Sequence, residues 1–361
     1  HTTAIIYTDE DLIDAKKNRL NPYFKPDWSP HLLLSAMYMG HVWYSKNLVN
    51  ELGGFHKEYT GSEEYDLALR ATEKLSPKEI IHLPQVLIHT HKNTYSAETT
   101  GKQALAAALK RRKIQGTVEK GITPKSFRVH YKITNNPLVS IIIPTRGIPL
   151  LRTCITAMHQ KTTGVRYEVI VMNNSRDEDA EKKTFFKELE KDFAHCRVID
   201  YNHPFNFSKI NNFGAAQAKG DFILLLNDDT EPLTGEWLSA MVEQAQRPEV
   251  GAVGAKLLYP NNTIQHAGVV IGIGDVAGHS HKYLPNSFEN HGYHGFLNMV
   301  RDYSAVTAAC LMSRRDVFEE LHGLDETLAV AFNDVDYCLR VCKAGYSVVY
   351  TPYALVFHYE S

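Results

Sequence analysis

The stretch Phe222–Pro232 reads FILLLNDDTEP and joins an apolar run to a cluster of acidic residues. An apolar run without alternation predicts a strand that is buried on both faces, as in a parallel sheet. Ionised carboxylates that directly follow such a strand must face solvent, a partner or a cation. Because Asn and Asp also favour ordinary turns, the motif by itself leaves a solvated turn and a metal site both open.

Segments with strand and helix character alternate on the N-terminal side of this stretch. The expected strands are VSIIIPT, YEVIVMN and CRVIDY, and the expected helices run through LLRTCITAMHQ, AEKKTFFKELEKDF and SKINNFGAAQAK. This alternation predicts an α/β fold with a mostly parallel sheet and helices on both faces. Ligands of such sheets bind at the carboxyl ends of the strands, so PTRG, NNS and NDD should converge at one edge. That convergence favours a metal or ligand site over a turn.

Two aspartates and a histidine follow in the last 30 residues. Asp334 and Asp336 lie near the start of an expected helix, where acids complement the helix dipole without any further function. One of them is also a candidate general base, the other a cap, and Arg340 a candidate partner for either. His358 ends an apolar strand, where a lone histidine is more often structural than a ligand.

The chain contains an internal repeat. ELGGFHKEYTGSEEYDLALR (residues 51–70) is similar to ELHGLDETLAVAFNDVDYCLR (residues 320–340), and each is followed by an apolar strand with a proline that ends in His89 or His358. The repeat aligns Glu64 with Asp334. It predicts that residues 1–98 are the later half of one domain and that residues 137–361 are a nearly complete second domain. Residues 99–136 are then a connector, with a helix over Gly101–Gln115.

The acidic stretch at the N-terminus, AIIYTDED, is the stronger metal motif by composition. The repeat, however, pairs it with GAKLLYPNN, the strand after the Asn-Asp-Asp turn, and its acids fail the EF-hand spacing. We therefore expect Asp9–Asp11 to form a surface turn.

Composition excludes several classes of function. The formal net charge is -2, so no excess of basic residues points to nucleic acid. Five cysteines without a C-x-x-C pair fit a reducing compartment, and no apolar run approaches the length of a membrane span. A zinc site in the His-rich stretch 266–294 and a dinucleotide loop at GIGDVAG are both disfavoured by spacing. The chain does not start with Met, which suggests a fragment or a processed product.

Seven motifs in order resemble glycosyltransferase family 2, inverting enzymes of the GT-A fold. They are SIIIPTRG, IVMNNS, GDFILLLNDDTEP, GAVGAKLLYPNNTIQHAG, TAACLMSRRDVF, AFNDVDYCLR and YTPYALVFHYES, and together they cover Pro137–Ser361. Residues 1–98 resemble the acceptor-side half of a second such domain. Tandem bacterial polysaccharide and lipopolysaccharide glycosyltransferases have this organisation.

The resemblance implies a Mn²⁺ or Mg²⁺ cofactor and a role for each matching residue. Asp334 corresponds to the catalytic base, and Asp229 and His358 correspond to metal ligands. The positions implied in donor binding are Thr145, Arg146, Asn173, Asn174, Ser175, Asn211, Asn227 and Asp228. His266, Asp336 and Arg340 are further candidates for the donor or acceptor pocket. Two departures from the family pattern are Met172, where an Asp is common, and Asn227, which replaces the first acid of the Asp-x-Asp motif.

The resemblance implies transfer of a sugar from a UDP- or dTDP-type donor to a hydroxyl of a growing, or lipid-linked, cell-surface glycan. The alternatives are an inactive sugar-binding or partner-binding module and a nucleotidyltransferase, which attacks phosphorus instead of carbon. We expect a cytoplasmic location, peripheral at the inner face of the plasma membrane. Because half a domain exposes apolar surface, self-association through residues 1–98 is expected as well.

Overall fold

The computed structural model describes residues 3–91, 97–175 and 180–360. The chain divides into two compact units. Unit 1 comprises His1–Lys132 together with Tyr293–Arg301, and unit 2 comprises Ile133–Gly292 together with Asp302–Ser361. Most of the stretch 99–136, expected as a connector, therefore belongs to unit 1.

Unit 1 is a small α/β unit with a four-stranded sheet in its described residues. Its elements are β1 (Ile5–Ile13), β2 (Arg19–Tyr23), α1 (Pro30–Leu33), β3 (Val42–Tyr44), α2 (Lys46–Leu52), α3 (Glu63–Thr72), β4 (Ile80–Thr90), α4 (Glu98–Arg111), β5 (Gly116–Lys120) and β6 (Phe127–Tyr131). Strand β1 is central: it pairs with β2 and β3 antiparallel and with β4 parallel, while β5 and β6 form a separate hairpin. The core is rich in tyrosine, including the fully buried Tyr7, Tyr38 and Tyr65.

The prediction of a surface turn at Asp9–Asp11 is wrong. Strand β1 continues through all three acids because β4 pairs with it along its length, with register shifts on either side of Asp9. Asp9 and Asp11 are only 3% and 4% exposed. Each buried carboxylate is matched by donors: Asp9 by the Lys25 amide and His82, and Asp11 by Arg19 and His89. Buried charges are tolerated when they are paired in this way.

The helix expected over Gly101–Gln115 forms but ends at Arg111. Lys113 has a φ of 57°, in the left-handed region that ends a helix, and the Ile114 amide reaches back to the Leu109 carbonyl. Strand β5 begins at Gly116, directly after this turn. The Ala-, Leu- and Lys-rich composition favoured the helix but did not indicate its last turn.

Unit 2 carries a large, mostly parallel sheet. Its elements are β7 (Leu138–Thr145), α5 (Ile148–Lys161), β8 (Arg166–Asn173), α6 (Ala180–Asp192), β9 (Cys196–Asp200), α7 (Phe207–Ala216), β10 (Phe222–Leu226), β11 (Thr230–Pro232), α8 (Trp237–Ala245), β12 (Val250–Leu258), β13 (Ile264–His266), β14 (Val269–Ile271), β15 (Ala277–His279), β16 (Arg301–Asp302), β17 (Cys310–Arg314), α9 (Arg315–Glu320), α10 (Asn333–Lys343) and β18 (Ser347–His358). The first residue of β16, Arg301, is the last residue of the unit 1 segment. The main strand order is β11-β18-β12-β17-β10-β7-β8-β9. Neighbours from β10 to β9 are parallel, as are β12 and β18, whereas β17 runs antiparallel between the two sets. The α/β fold class predicted from the alternating segments is confirmed.

The two units share a pattern of strand pairing. In unit 2, β12 pairs antiparallel with β17 and parallel with β18, and in unit 1 β1 pairs antiparallel with β3 and parallel with β4. Both parallel pairs are interrupted by register shifts next to the proline of the last strand. Proline has no N–H to donate to a neighbouring strand, so it is tolerated at such an irregularity. Unit 1 thus repeats the pairing found in the later half of unit 2.

A clamp around one arginine recurs in both units. Arg340 donates to Asp336, four residues before it, and to the carbonyls of Leu321 and Gly323. Arg70 makes the same contacts with Asp66, Leu52 and Gly54. In each case the planar guanidinium ties the start of one helix to the end of the preceding one.

No helix within the described residues is long and apolar enough to cross a membrane. The GIGDVAG stretch, which was disfavoured as a dinucleotide loop, forms part of the hairpin between β14 and β15. All five cysteines are free, and Cys342 alone among them is exposed.

Candidate functional site

The ends of β7 and β10 meet at a cavity of about 630 Å³ at the carboxyl edge of the unit 2 sheet. The two strands are parallel neighbours, so their final residues lie side by side. The cavity is lined by Pro144, Thr145, Arg146, Gly147, Pro149, Leu150, Asn174, Phe205, Phe207, Ile210, Asn227, Asp228 and Asp229. Six of the positions that the resemblance implied in donor or metal binding thus line this one cavity: Thr145, Arg146, Asn174, Asn227, Asp228 and Asp229.

Asp228 contacts the end of β7 directly, at the wall of this cavity. The Thr145 hydroxyl donates to its Oδ2 at 2.6 Å and also accepts from the Gly147 amide. Burial raises the pKa of the Asp228 carboxyl, the neighbouring Asp229 raises it further, and the Thr145 hydrogen bond opposes both. A positive charge placed next to these two buried carboxylates would thus stabilise their ionised form.

Strand pairing places Asp229 beside His358. Thr230, the first residue of β11, is the register partner of His358 at the end of β18, and the Tyr359 amide donates to the Asp229 carbonyl. As a result, His358 Nε2 lies 3.2 Å from Asp229 Oδ1. The Asn227 side-chain amide approaches the same Nε2 at 3.1 Å.

The donor atoms at this position fit a divalent cation. Adjacent ligands on octahedral Mg²⁺, with bonds of about 2.1 Å, lie about 3 Å apart, close to the separation of the Asp229 and His358 atoms. In the described residues no three His, Cys, Asp or Glu side chains are grouped so as to hold a metal ion. Metal ions of this class are commonly bound by one or two protein side chains together with substrate phosphates and water. Asp229 and His358 are the side chains that would hold it.

Asp334 lies at the first turn of α10, close to the same edge. Its Oδ2 accepts from the Ala308 amide at 3.1 Å, and its Oδ1 accepts from the Val335 amide. The next residue along, Ala309, accepts a hydrogen bond from the Asn227 amide through its carbonyl. The segment that precedes β17 therefore links the carboxylate of Asp334 to the Asn-Asp-Asp turn: its Ala308 amide donates to Asp334, and its Ala309 carbonyl accepts from the turn.

The Asn-Asn-Ser motif after β8 is divided between two places. Asn174 lines the main cavity, but its side-chain amide donates to the carbonyls of Tyr201 and His203 and so holds the loop after β9. Asn173 and Ser175 line a separate cavity of about 640 Å³, where Asn173 donates to Asp200. Asn211 is fully buried on α7 and donates to the Phe207 carbonyl. Three of the implied donor-binding positions thus lie apart from the main cavity.

The three further pocket candidates are engaged inside the fold. Asp336 and Arg340 form the clamp described above. His266 is fully buried, its Nε2 accepts from the Gly268 amide, and its ring packs edge-on against His279. Burial holds the pKa of His266 well below its ordinary value, so the ring is neutral at neutral pH.

Apolar residues that the motif comparison passed over form much of the cavity wall. Phe205 is 40% exposed, and the Arg146 guanidinium lies 4.1 Å from its ring centre, a cation–π contact. Phe207 and Ile210 from α7 and Leu150 from α5 complete this wall. The signal was present in the sequence as the aromatic run PFNF directly before an expected helix, which is unusual for a solvated loop.

Comparison with known proteins matches this region to a defined family. The sequence model described as glycosyl transferase family 2 matches residues 140–321, half of the chain. The chain belongs to glycosyltransferase family 2. The matched range begins inside β7, contains β10 and the Asn-Asp-Asp turn, and ends before Asp334 and His358.

Two curated proteins match this family 2 chain over 99% of its length. One is the uncharacterized protein y4gI of Sinorhizobium fredii, with 41% identity, and the other is the O-antigen biosynthesis protein RfbC of Myxococcus xanthus, with 37% identity. The pre-mycofactocin glycosyltransferase of Mycobacterium tuberculosis matches 61% of the chain at 26% identity. The chain spans 40% of the length of the first protein and 28% of the second.

Among solved structures, that of GalNAc-T7 with UDP, GalNAc and Mn²⁺ superposes on 65% of this chain and 45% of that chain, with a TM-score of 0.53. The sequence identity is 15%, so the likeness concerns the fold alone. GalNAc-T7 is a GT-A glycosyltransferase, and the predicted GT-A fold is confirmed.

Proposed function

We propose that unit 2 transfers a sugar from a nucleotide-diphospho-sugar of the UDP or dTDP type to a hydroxyl of a growing cell-surface glycan, by a single displacement that inverts the anomeric carbon. One observation carries the proposal. The Asn-Asp-Asp turn, His358 and Asp334 are tied to one edge of the sheet, beside a cavity large enough for a nucleotide. Membership of the family supports the same chemistry.

The main cavity is the proposed donor site. Phe205, Phe207 and Leu150 give the base an apolar surface, and Arg146, which lies on the Phe205 ring, supplies positive charge for a phosphate. Thr145 orients the Asp228 carboxylate, which is available for a ribose hydroxyl or a bound water. A mostly apolar wall with a few convergent polar groups is typical of small-molecule sites.

Asp229 and His358 are the proposed ligands of Mn²⁺ or Mg²⁺. When bound, the metal ion neutralises charge on the departing diphosphate. The protein contributes the position of both ligands, because the pairing of β11 with β18 fixes them next to each other.

Asp334 is the proposed general base. It takes the proton of the acceptor hydroxyl as that oxygen attacks the anomeric carbon on the face opposite the leaving diphosphate. The Ala308 and Val335 amides each hold one carboxylate oxygen, so the group is oriented before the substrate arrives. A base on the acceptor side and a metal on the leaving-group side is the arrangement that inversion requires.

The test is a panel of UDP- and dTDP-sugars with Mn²⁺, read by thermal shift, by donor hydrolysis and by transfer to glycan acceptors. We expect Asp334→Asn to keep donor binding and to lose transfer by at least about 100-fold, the usual contribution of a general base. Asp325→Asn is the matched control, since Asp325 is an exposed acid that caps the turn at Thr327.

Three outcomes would contradict the proposal. Full transfer by the Asp334→Asn variant would exclude Asp334 as the base. Binding of a donor without any turnover would favour an inactive binding module. Formation of a nucleotide-sugar and pyrophosphate, when UTP or dTTP and a sugar 1-phosphate replace the donor, would identify a nucleotidyltransferase.

We also propose that the acceptor is a glycan or a lipid-linked saccharide reached at the inner face of the plasma membrane. The name of the Myxococcus xanthus relative, an O-antigen biosynthesis protein, supports an acceptor of this class. For unit 1 we propose a partial copy of the same domain that associates with another copy of the chain; size-exclusion chromatography with light scattering tests that association.

A further inference from the structure

Gln265 contacts both the ring and the backbone of His358. It lies on β13, is 2% exposed, and its Oε1 lies 2.6 Å from His358 Nδ1 while its Nε2 lies 3.4 Å from the His358 carbonyl oxygen. From this geometry we infer that Gln265 is a positioning residue that fixes the ring tautomer and orientation in which His358 binds the metal. The inference rests on the proposed function, because it assigns a partner to a proposed metal ligand.

The hydrogen-bond chemistry allows one arrangement of the two side chains. A backbone carbonyl only accepts, so the Gln265 amide nitrogen must face it and donate. The amide oxygen then faces Nδ1, and because that oxygen also only accepts, Nδ1 must carry the hydrogen. In a neutral imidazole the other nitrogen, Nε2, is left with a lone pair.

The surroundings of Nε2 agree with this assignment. The Asn227 side-chain amide donates to Nε2 at 3.1 Å, which requires a lone pair on that nitrogen. Asp229 Oδ1 lies 3.2 Å away on the same side of the ring. A metal-binding histidine usually donates its second N–H to an oxygen acceptor, which orients the ring, and Gln265 supplies that acceptor here.

Unit 1 offers an internal comparison. His89, the repeat counterpart of His358, also has its Nδ1 against an oxygen, but this oxygen belongs to the Asp11 carboxylate, 2.5 Å away. Arg19 contacts the other oxygen of the same carboxylate. Carboxylate and amide oxygens both accept hydrogen bonds, so each unit places an oxygen acceptor against Nδ1 of its histidine. An oxygen partner for Nδ1 is thus a feature of both copies, which is expected of a contact that orients the ring.

The test measures Mn²⁺ affinity by electron paramagnetic resonance of free Mn²⁺, with UDP as the probe ligand, together with two-bond ¹⁵N–¹H spectra of the His358 ring. We expect Gln265→Leu to weaken Mn²⁺ binding by about 10- to 100-fold, the usual effect of removing such a partner, and to lose the single Nδ1–H tautomer. Gln265→Glu keeps an acceptor for Nδ1–H, so its affinity should lie closer to wild type than to Gln265→Leu.

Two variants serve as controls. Gln244→Leu removes another buried glutamine, one that accepts from Arg247 on the neighbouring turn, and should bind Mn²⁺ like wild type. His358→Ala defines the loss expected when the ligand itself is absent. If Gln265→Leu binds within twofold of wild type while His358→Ala does not, the role of Gln265 is excluded and the proposed metal site stands. If His358→Ala also binds like wild type, both the inference and the ligand role of His358 fall.

Discussion

Lys256 is a buried lysine in β12, a strand whose every residue is buried. Burial lowers the pKa of its ammonium from 10.5 to about 8. The folded chain therefore binds fewer protons than the unfolded chain between about pH 8 and pH 10.5. Below pH 8 the charged ammonium destabilises the fold, and this cost disappears as the pH rises through that window.

We predict that Lys256→Met is more stable than wild type at pH 7 and that the advantage shrinks by as much as about 3 kcal/mol towards pH 10. Urea unfolding of both proteins at a series of pH values measures the difference in their free energies of unfolding. The titration of all other groups contributes equally to both proteins and cancels in this difference. Lys102→Met, which replaces an exposed lysine, should show no such trend. A gap between wild type and Lys256→Met that is constant with pH would exclude this interpretation.

Single residues were predictable from sequence where a backbone element dictates their position. Asp229, Asp228 and Thr145 follow apolar parallel strands, and parallel strands align their ends. Gln265 escaped notice because its role depends on a contact with His358, 93 residues away. No local pattern encodes a pairing of that range, and the neighbouring His266 is by residue type the more obvious candidate for a site.

At the scale of elements, the arginine clamp holds the end of α9 against α10, the helix that begins beside Asp334. We predict that Arg340→Lys destabilises unit 2 by about 1–3 kcal/mol, because an ammonium cannot bridge one carboxylate and two carbonyls as the planar guanidinium does. Arg70→Lys should destabilise unit 1 by at least as much, since the Arg70 side chain is 8% exposed and that of Arg340 is 29% exposed.

Calorimetry should show that Arg340→Lys lowers the temperature of the unit 2 unfolding transition and that Arg70→Lys lowers that of unit 1. A further substitution, Asp336→Ala in the Arg340→Lys background, should cost less than Asp336→Ala alone, because the pair then no longer acts together. Fully additive effects would mean that the clamp is not an energetic unit.

Elements were predictable where a periodic pattern is long, as in β7, β8 and α5 of unit 2. The first strand shows where pattern reasoning fails. Its acids suggested a turn after Tyr7, yet β1 runs on to Ile13 because Arg19, Lys25, His82 and His89 supply partners for the buried carboxylates. Tertiary pairing thus overrode the low strand propensity of Asp.

At the scale of the whole molecule, unit 1 is completed by a segment from far along the chain. Tyr293–Arg301 belongs to unit 1, and Phe296 and Met299 of that segment are buried in its core. The sequence pattern placed this stretch in the second domain, residues 137–361. Nothing local distinguishes a segment that returns to an earlier unit from one that stays in its own.

We predict that Phe296→Ala destabilises unit 1 by about 3–5 kcal/mol, the usual cost of removing a buried phenyl ring. Limited proteolysis with mass spectrometry should show cleavage appearing first in unit 1, while unit 2 keeps its wild-type resistance. Phe288→Ala is the matched control, because Phe288 is 84% exposed. Equal sensitivity of the two variants would contradict the assignment of the segment to the core.

The returning segment also has a consequence for synthesis on the ribosome. Residue 301 is made about 170 residues after Lys132, the end of the continuous part of unit 1. At the usual elongation rates of about 5–20 residues per second, that interval is roughly 10–30 s. During that time the residues up to Lys132 have emerged from the ribosome, but Phe296 and Met299, which complete the core of unit 1, have not yet been made. We expect chaperones that bind exposed apolar surface to contact unit 1 during this interval. Unit 1 then finishes folding only after most of unit 2 has been translated.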